Sequence, residues 1–380
     1  MNSSKIIYRS FRNGDILGIV DIWNRTDRPE EHLDRSSYPT TLRKTPEARD
    51  FVNPMGLRQP INTTLFDVQV VSSPLFSRDL LWVAVDTSEV PVFEGGSLVR
   101  FEPRPSSEKG SRRGFDGRIV GFIHGGRGPN EDFSGEDPTS AVIAMLMVEE
   151  RADQMEIAGG LLRVLEAQFK REGATEITAG AVYPNAPLYT GMLSGGESFG
   201  VLESDPMGPA ILLENGYFWD MRYHLFRIPL AQFEEPTFFT AQTQKHFHVE
   251  RVETTQPRNF WEMCALAHSC WKRFDLKSNE DDHVCGSVIL RWSKLDPQDR
   301  HLLGMHNLFI QPEYRHHGCA VYRVSRALMG VPEDCANDYN RANLAVELQV
   351  AAKHTTALSL FSNLTFSHFA TGAVFTKKLA

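Results

Sequence analysis

The sequence runs through one order of elements twice, and that repetition constrains the fold more than any single motif. In the first pass a strand-like run, Ile6–Phe11, precedes a helical pattern of Ile16, Ile19, Val20 and Trp23 behind Asp15 as N-cap. Strands are expected at Leu80–Val85 and Arg118–His124, a polar loop at Gly125–Pro138, and the unbroken apolar run Ala141–Val148 reads as a strand buried on both faces. An amphipathic helix carrying Ile157, Leu161, Val164, Leu165 and Phe169 follows and closes at Gly173. Then come a strand at Glu176–Val182, an irregular Gly-rich segment at Tyr183–Ser204, a short helix at Pro206–Asn215 and strand material at Tyr217–Ile228.

After a linker at Pro229–Gln244 the order begins again, with a strand at His246–Glu250 and a helix at Asn259–Trp271. Strands at Val284–Trp292 and His301–Ile310, a helix at His316–Met329, a strand at Leu344–Val350, a helix at Thr355–Asn363 and a last strand at Phe366–Thr376 complete it. At about 150 residues per domain the length accommodates two such units. The expected division is an N-terminal unit 1–230, a linker 231–244 and a C-terminal unit 245–380, a tandem of α/β units and not a short-period repeat.

Composition narrows the function classes. The formal net charge of -8 argues against a nucleic-acid backbone as partner. The first 244 residues hold 24 basic against 34 acidic groups and the rest 16 against 14, so the second half is the better home for an anionic ligand. No run of 18 apolar residues suits a membrane span, and the start carries no signal-peptide core, so a cytoplasmic protein is expected. Five irregularly spaced cysteines make no disulfide framework. Glu102–Gly114, charged and rich in Pro, Ser and Gly, reads as an exposed mobile loop.

The most informative stretch is Phe309-Ile310-Gln311-Pro312-Glu313-Tyr314-Arg315-His316-His317-Gly318-Cys319-Ala320. A buried strand ends, a short loop follows, and a helix opens behind a residue without Cβ. Such a junction turns free backbone N–H groups and the positive helix end toward an anion, and it suits a pyrophosphate. The plainer alternative is a positively charged helix start with a chance glycine.

This stretch resembles motif A of the GNAT acetyltransferases. Arg315, Gly318 and Ala320 fill the R-x-x-G-x-G/A positions, with Ile310, Pro312 and Tyr314 leading in. Leu348 and Val350 resemble the family's fifth strand, and Ala357, Leu358, Leu360, Phe361 and Phe366 its following helix and turn. The resemblance implies an α/β (α+β) fold of two tandem GNAT domains, each a mixed, mostly antiparallel sheet flanked by helices. It implies acetyl-CoA as acyl donor, held by Ile310, Gln311, Arg315, His316, His317, Gly318, Cys319 and Ala320, with His354 standing where the family has an Asn at the pantetheine. At matching spacings the first half has Asp153, Glu156 and Ala158 in the phosphate-facing places, which implies a degenerate cradle kept as scaffold or substrate wall.

Acetyl transfer needs a neutral amine, donors for the developing oxyanion and a proton for the departing thiolate. Backbone N–H groups near Phe309–Gln311 are candidates for the oxyanion contact. Strand parity with Ile310 makes His306 the candidate base, and a hydrogen-bonded strand histidine without a catalytic role is the alternative. Phe361 stands where the family's usual acid is a Tyr, with Leu212 as its first-half counterpart; Tyr339 and Tyr322 are the substitutes to consider. The set His268, Cys270, His283 and Cys285 has zinc-ligand residue types, but its first pair sits at i and i+2 of the expected helix and shares no face, so no metal is expected. Tyr189–Val201 is either a substrate loop or a structural insert. The sequence thus points to a transferase acting on the amine of a small molecule or peptide, without nucleic-acid or membrane partners. The alternatives are a non-catalytic acyl-CoA-binding sensor or scaffold, and an aminoacyl or long-chain acyl transferase.

Overall fold

The computed structural model describes residues 6–25, 61–94, 97–105, 116–193, 198–252, 256–266, 270–293, 301–315, 317–334 and 344–379. In the first half the strands are β1 (Ile6–Ser10), β2 (Leu81–Asp86), β3 (Glu89–Glu94), β4 (Ser97–Pro103), β5 (Arg118–Pro129), β6 (Glu136–Val148), β7 (Glu176–Ala179), β8 (Val201–Leu202) and β9 (Phe218–Pro229). The second half supplies β10 (Phe247–Val252), β11 (Cys270–Ser278), β12 (Val284–Ser293), β13 (His301–Ile310), β14 (Leu344–Ala351) and β15 (Ser367–Lys378). Most of Glu102–Gly114 lies outside the described residues.

One sheet runs through both halves in the order β1-β2-β5-β6-β7-β15-β9-β14-β13-β12-β11-β10, with β8 on β15; β3 and β4 form a separate hairpin. The two halves exchange their last strands. β15, from the end of the chain, pairs antiparallel with β7, and β9 pairs antiparallel with β14. β9 and β15 then pair with each other at the centre of the sheet.

Side chains fix this exchange on both sides. Arg227 of β9 is ion-paired with Glu347 of β14, both buried, and its guanidinium lies 4.4 Å from the ring centre of Phe369. Lys377 of β15 reaches both carboxylate oxygens of Glu166 at 2.9 and 2.8 Å, and Tyr217 donates to the same carboxylate at 2.9 Å.

Each half lays an amphipathic helix on its sheet. Helix Gln154–Arg171 buries Ile157, Leu161, Leu162, Leu165 and Phe169, and helix Cys319–Asp334 buries Val324, Ala327 and Leu328. Gly173 ends the first in the left-handed region at φ +88. Two regions differ from the sequence expectation. Gly125–Pro138 reads as a loop, yet β5 continues to Pro129 and β6 starts at Glu136. The glycines there are packing glycines: a Cβ at Gly125 would lie 2.4 Å from Phe169 Cζ. The helix expected over Asn259–Trp271 is confined to Phe260–Leu266, and β11 begins at Cys270, because Phe274 and Leu276 alternate with Arg273 and Asp275 at a strand's period of two. The linker contains the helix Thr237–Thr243. Among the described residues no helix is long and apolar enough to cross a membrane.

Candidate functional site

In each half a parallel strand pair starts together and parts. β13 pairs with β14 only from His301↔Leu344 to Gly304↔Glu347, and β6 with β7 only from Ser140↔Glu176 to Ile143↔Ala179. Beyond those points the backbone edges of Met305–Ile310 and Ala144–Val148 lose their ladder partners on that side, which opens two wedge-shaped clefts related by the repeat.

In the second half the cleft leads to the strand–loop–helix junction. A 3-10 turn at Pro312–Tyr314 follows β13, Gly318 takes φ +76, and the helix begins at Cys319. The left-handed residue turns the chain so that the helix start faces the strand end. A Cβ at Gly318 would meet Thr243 Oγ1 at 3.0 Å, and this hydroxyl also lies 3.4 Å from the carbonyl oxygen of His317. The exposed Arg315 folds back, its Nε donating to the carbonyl of Ile310 at 3.0 Å. Ile310, Gln311, Arg315, His317, Gly318, Cys319 and Ala320 are therefore brought together at one junction; His316 lies outside the described residues. Gln311 is tied to β12: its N–H donates to Cys285 O at 2.9 Å and its Nε2 to Val284 O at 2.8 Å. That leaves its backbone N–H engaged already. His354 is exposed before helix Thr355–Asn363, at the far side of the cleft after β14. Leu308, Val321, Ala357 and Leu360 are half-buried around the parted strands.

His306 is buried, 5% exposed, and it does not share the face of Ile310 as strand parity predicts. His306 pairs with Ile289 and Ile310 with Gly286, so β13 carries one residue more than β12 between them, a bulge at Asn307 with φ +49. The extra residue reverses the faces. Ile310 packs toward the helix with Cys319 and Tyr322, while His306 shares the opposite face with Ile289. There a hollow of about 240 Å3 is lined by Arg258, Glu262, Trp271, Arg273, Asp275 and Asn307. Glu262, buried, accepts from the Arg258 backbone N–H at 2.6 Å and from its guanidinium at 2.9 Å.

Arg323 occupies the place of an apolar helix residue. It is fully buried and donates from Nη1 to the carbonyl of Phe309 at 2.6 Å, serving the backbone where the bulge disturbs the β12–β13 ladder. Burial pulls it down to about 9, against the nearby charge of Asp275. Neither it nor Thr243 was singled out from the sequence; a cation interrupting the apolar stripe of the helix was the available signal.

The substitutes for the missing Tyr fare differently. Phe361 is 3% exposed and packs at 5.3 Å on Phe366, so its position is part of the core. Tyr322 is buried beside Ile310, where desolvation raises its pKa, and Tyr339 lies outside the described residues. His268 also lies outside them, and Cys270 opens a strand.

The first half differs at the same places. Its helix starts at Gln154 without a left-handed residue before it, and Gln154 Nε2 donates to Val148 O at 3.1 Å, as Arg315 does to Ile310. Gln154, not Asp153, is thus the structural counterpart of Arg315, in a loop one residue longer, and buried Ile157 stands opposite Gly318. The opposite sheet face is filled by Phe11, Trp23, Phe66, Tyr189 and Met192. Tyr189 belongs to the segment weighed as a substrate loop; its hydroxyl lies 2.7 Å from His124 Nδ1 and its ring stacks on Trp23. The chain meets the second half both before and within this segment: Trp261 Nε1 donates to Pro184 O at 2.7 Å, and Arg291 fills the space beside Gly191.

No protein-family model matches the sequence, and no curated protein does. Solved structures do. A GCN5-related glucosamine N-acetyltransferase region of a fungal multi-domain GH3 β-N-acetylglucosaminidase superposes with TM-score 0.60 at 14% identity over 99% of this chain, which spans 38% of that chain. A tandem GNAT protein from the clavulanic acid biosynthesis pathway gives 0.57 at 12%, covering 98% of both chains. A GCN5-related N-acetyltransferase from Sphaerobacter thermophilus gives 0.56 at 12%, over 98% and 95%. The two parted strand pairs, each feeding a helix start, and the superposition over nearly the whole length lead to one conclusion: this chain has the tandem GNAT fold.

Proposed function

We propose that the chain is an acetyl-CoA-dependent N-acetyltransferase acting on the primary amine of a small molecule or peptide, with the chemistry in the C-terminal unit 245–380. The observation that carries this reading is the junction at Gly318, where a left-handed residue sets a helix start against the end of the parted strand β13. The residues fit a diphosphate there: the first N–H groups of the helix have no intrahelical acceptor, and the space a Cβ at 318 would take is held by the Thr243 hydroxyl, a small polar group. Ile310, Arg315, His317, Gly318, Cys319 and Ala320 would hold the donor, which supplies an acyl group activated as a thioester. Backbone N–H groups of the parted segment of β13 then stabilise negative charge developing on the acyl oxygen. His306, on the face that carries the polar hollow, takes the proton of the attacking amine. The division into units 1–230 and 245–380 belongs to the same proposal.

Phe361 favours a second reading, a non-catalytic acyl-CoA-binding scaffold, since it offers no proton to a leaving thiolate. Calorimetric titration with acetyl-CoA beside a Gly318→Glu variant tests the site: one site per chain, lost in the variant, is expected. No binding at millimolar ligand overturns the proposal. A thiol-release assay over an amine panel separates enzyme from scaffold, and competition between acetyl and longer or aminoacyl donors identifies the acyl group.

A further inference from the structure

We propose that the cleft of the first half, between the parted ends of β6 and β7, is a second ligand site that takes an amine with a long apolar body and not a coenzyme diphosphate. The cleft encloses about 450 Å3, inside the ~300–1,000 Å3 usual for small-molecule sites. Its walls are apolar, with Ile143, Ala144, Leu146, Ala181, Leu193 and Phe199 among the lining side chains. An apolar chain gains there by leaving water.

The charges at the mouth decide the head group. Glu149, Glu150 and Asp205 line the cleft against Arg25; Arg25 is itself paired with Asp21 at 2.7 Å and Glu149 with Arg118, so Glu150 is the carboxylate that sets the sign at the mouth. Arg151, three residues before the helix, is held by Asp86 at 3.2 Å, by Glu149 at 3.4 Å and by Asp153. Asp153 stands at the N-cap and Glu156 in the first turn, so the helix start that would receive phosphates already carries carboxylates. A diphosphate brought to this mouth meets like charge, whereas an ammonium group meets Glu150, which is exposed and able to turn toward it. The site is separate from the Gly318 junction, and the two proposals stand or fall independently.

Titration of the full chain with decylamine below its aggregation limit, beside decanoate and acetyl-CoA, tests this. Expected is one decylamine per chain, bound at least about tenfold tighter than decanoate. Leu146→Trp, which fills the cleft, should abolish amine binding while leaving acetyl-CoA binding intact. Glu150→Lys, a surface change that leaves the core untouched, should reverse the preference toward decanoate. The proposal is overturned if decanoate binds as tightly as decylamine, or if both variants bind decylamine as the unaltered chain does. It is also overturned if acetyl-CoA displaces decylamine equally in the unaltered chain and in Gly318→Glu. Failure of acetyl-CoA to bind anywhere would remove the transferase reading and leave this one standing.

Discussion

The guanidinium of Arg323 occupies the space that a side chain at Gly286 would need: an added Cβ would lie 2.4 Å from Arg323 Nη1 and 2.4 Å from the carbonyl oxygen of Phe309. Gly286→Ala should therefore destabilise the chain by about 1–3 kcal/mol through overpacking. Pairing it with Arg323→Ala should not restore stability, because the Phe309 carbonyl is backbone and stays. Denaturant midpoints of the two variants check this; full recovery in the double variant would mean that only the side chain had clashed.

His124 is held neutral by burial, down to about 3. Its folded pKa lies below the unfolded value of about 6.5, so below that value the unfolded chain binds the extra proton. This contribution to stability is complete above pH 6.5 and is lost as the pH falls from there toward 3, at up to about 1.4 kcal/mol per pH unit. His368, whose pKa burial and His224 also lower, acts in the same direction. His124→Gln should flatten the acid limb of a stability-against-pH curve, and an unchanged slope would assign that limb to other groups.

The strand exchange makes a prediction about fragments. Residues 1–230 lack the strand that joins β7 to β9, and residues 245–380 lack the partner of β14. Neither fragment should unfold cooperatively alone, while co-expression should restore a folded complex. A sharp thermal transition for either isolated fragment would contradict this.

Lys377 binds the end of the exchanged β15 to Glu166 on the first-half helix, with both groups largely shielded from water. Lys377→Met should cost about 1–2 kcal/mol, more than an exposed pair does. It should also raise hydrogen exchange in Phe375–Lys378 before the rest of the sheet. Uniform loss of protection would show that β15 does not open separately.

If His306 is the base, His306→Asn should lower kcat by about 10²–10⁴, with acetyl-CoA affinity unchanged. A variant with full kcat would leave His306 as a structural strand residue.

Local pattern made the elements of the junction legible. β13 ends at Ile310 as expected, and helix Thr355–Asn363 and the strand before it follow the sequence reading closely. What local pattern does not carry is pairing. A period of two says that Phe218–Pro229 is a strand but not that its neighbour is 120 residues away in sequence, as Arg227 and Glu347 are. The bulge at Asn307 was equally hidden, since one inserted residue leaves composition untouched while it turns His306 and Ile310 to opposite faces. Gly125 misled for a physical reason as well: a glycine demanded by Phe169 looks in sequence like a glycine demanded by a turn.

The traded strands carry a consequence for how such a chain can change over generations. The topology is that of two like subunits that have swapped their last strands and been joined end to end. The joining segment turns a bimolecular exchange into an internal one at high effective concentration. Once joined, the first half is retained for its strand whether or not it keeps its original ligand. Substitutions at its helix start, where Asp153 and Glu156 stand, leave that contribution of β9 to the second half untouched.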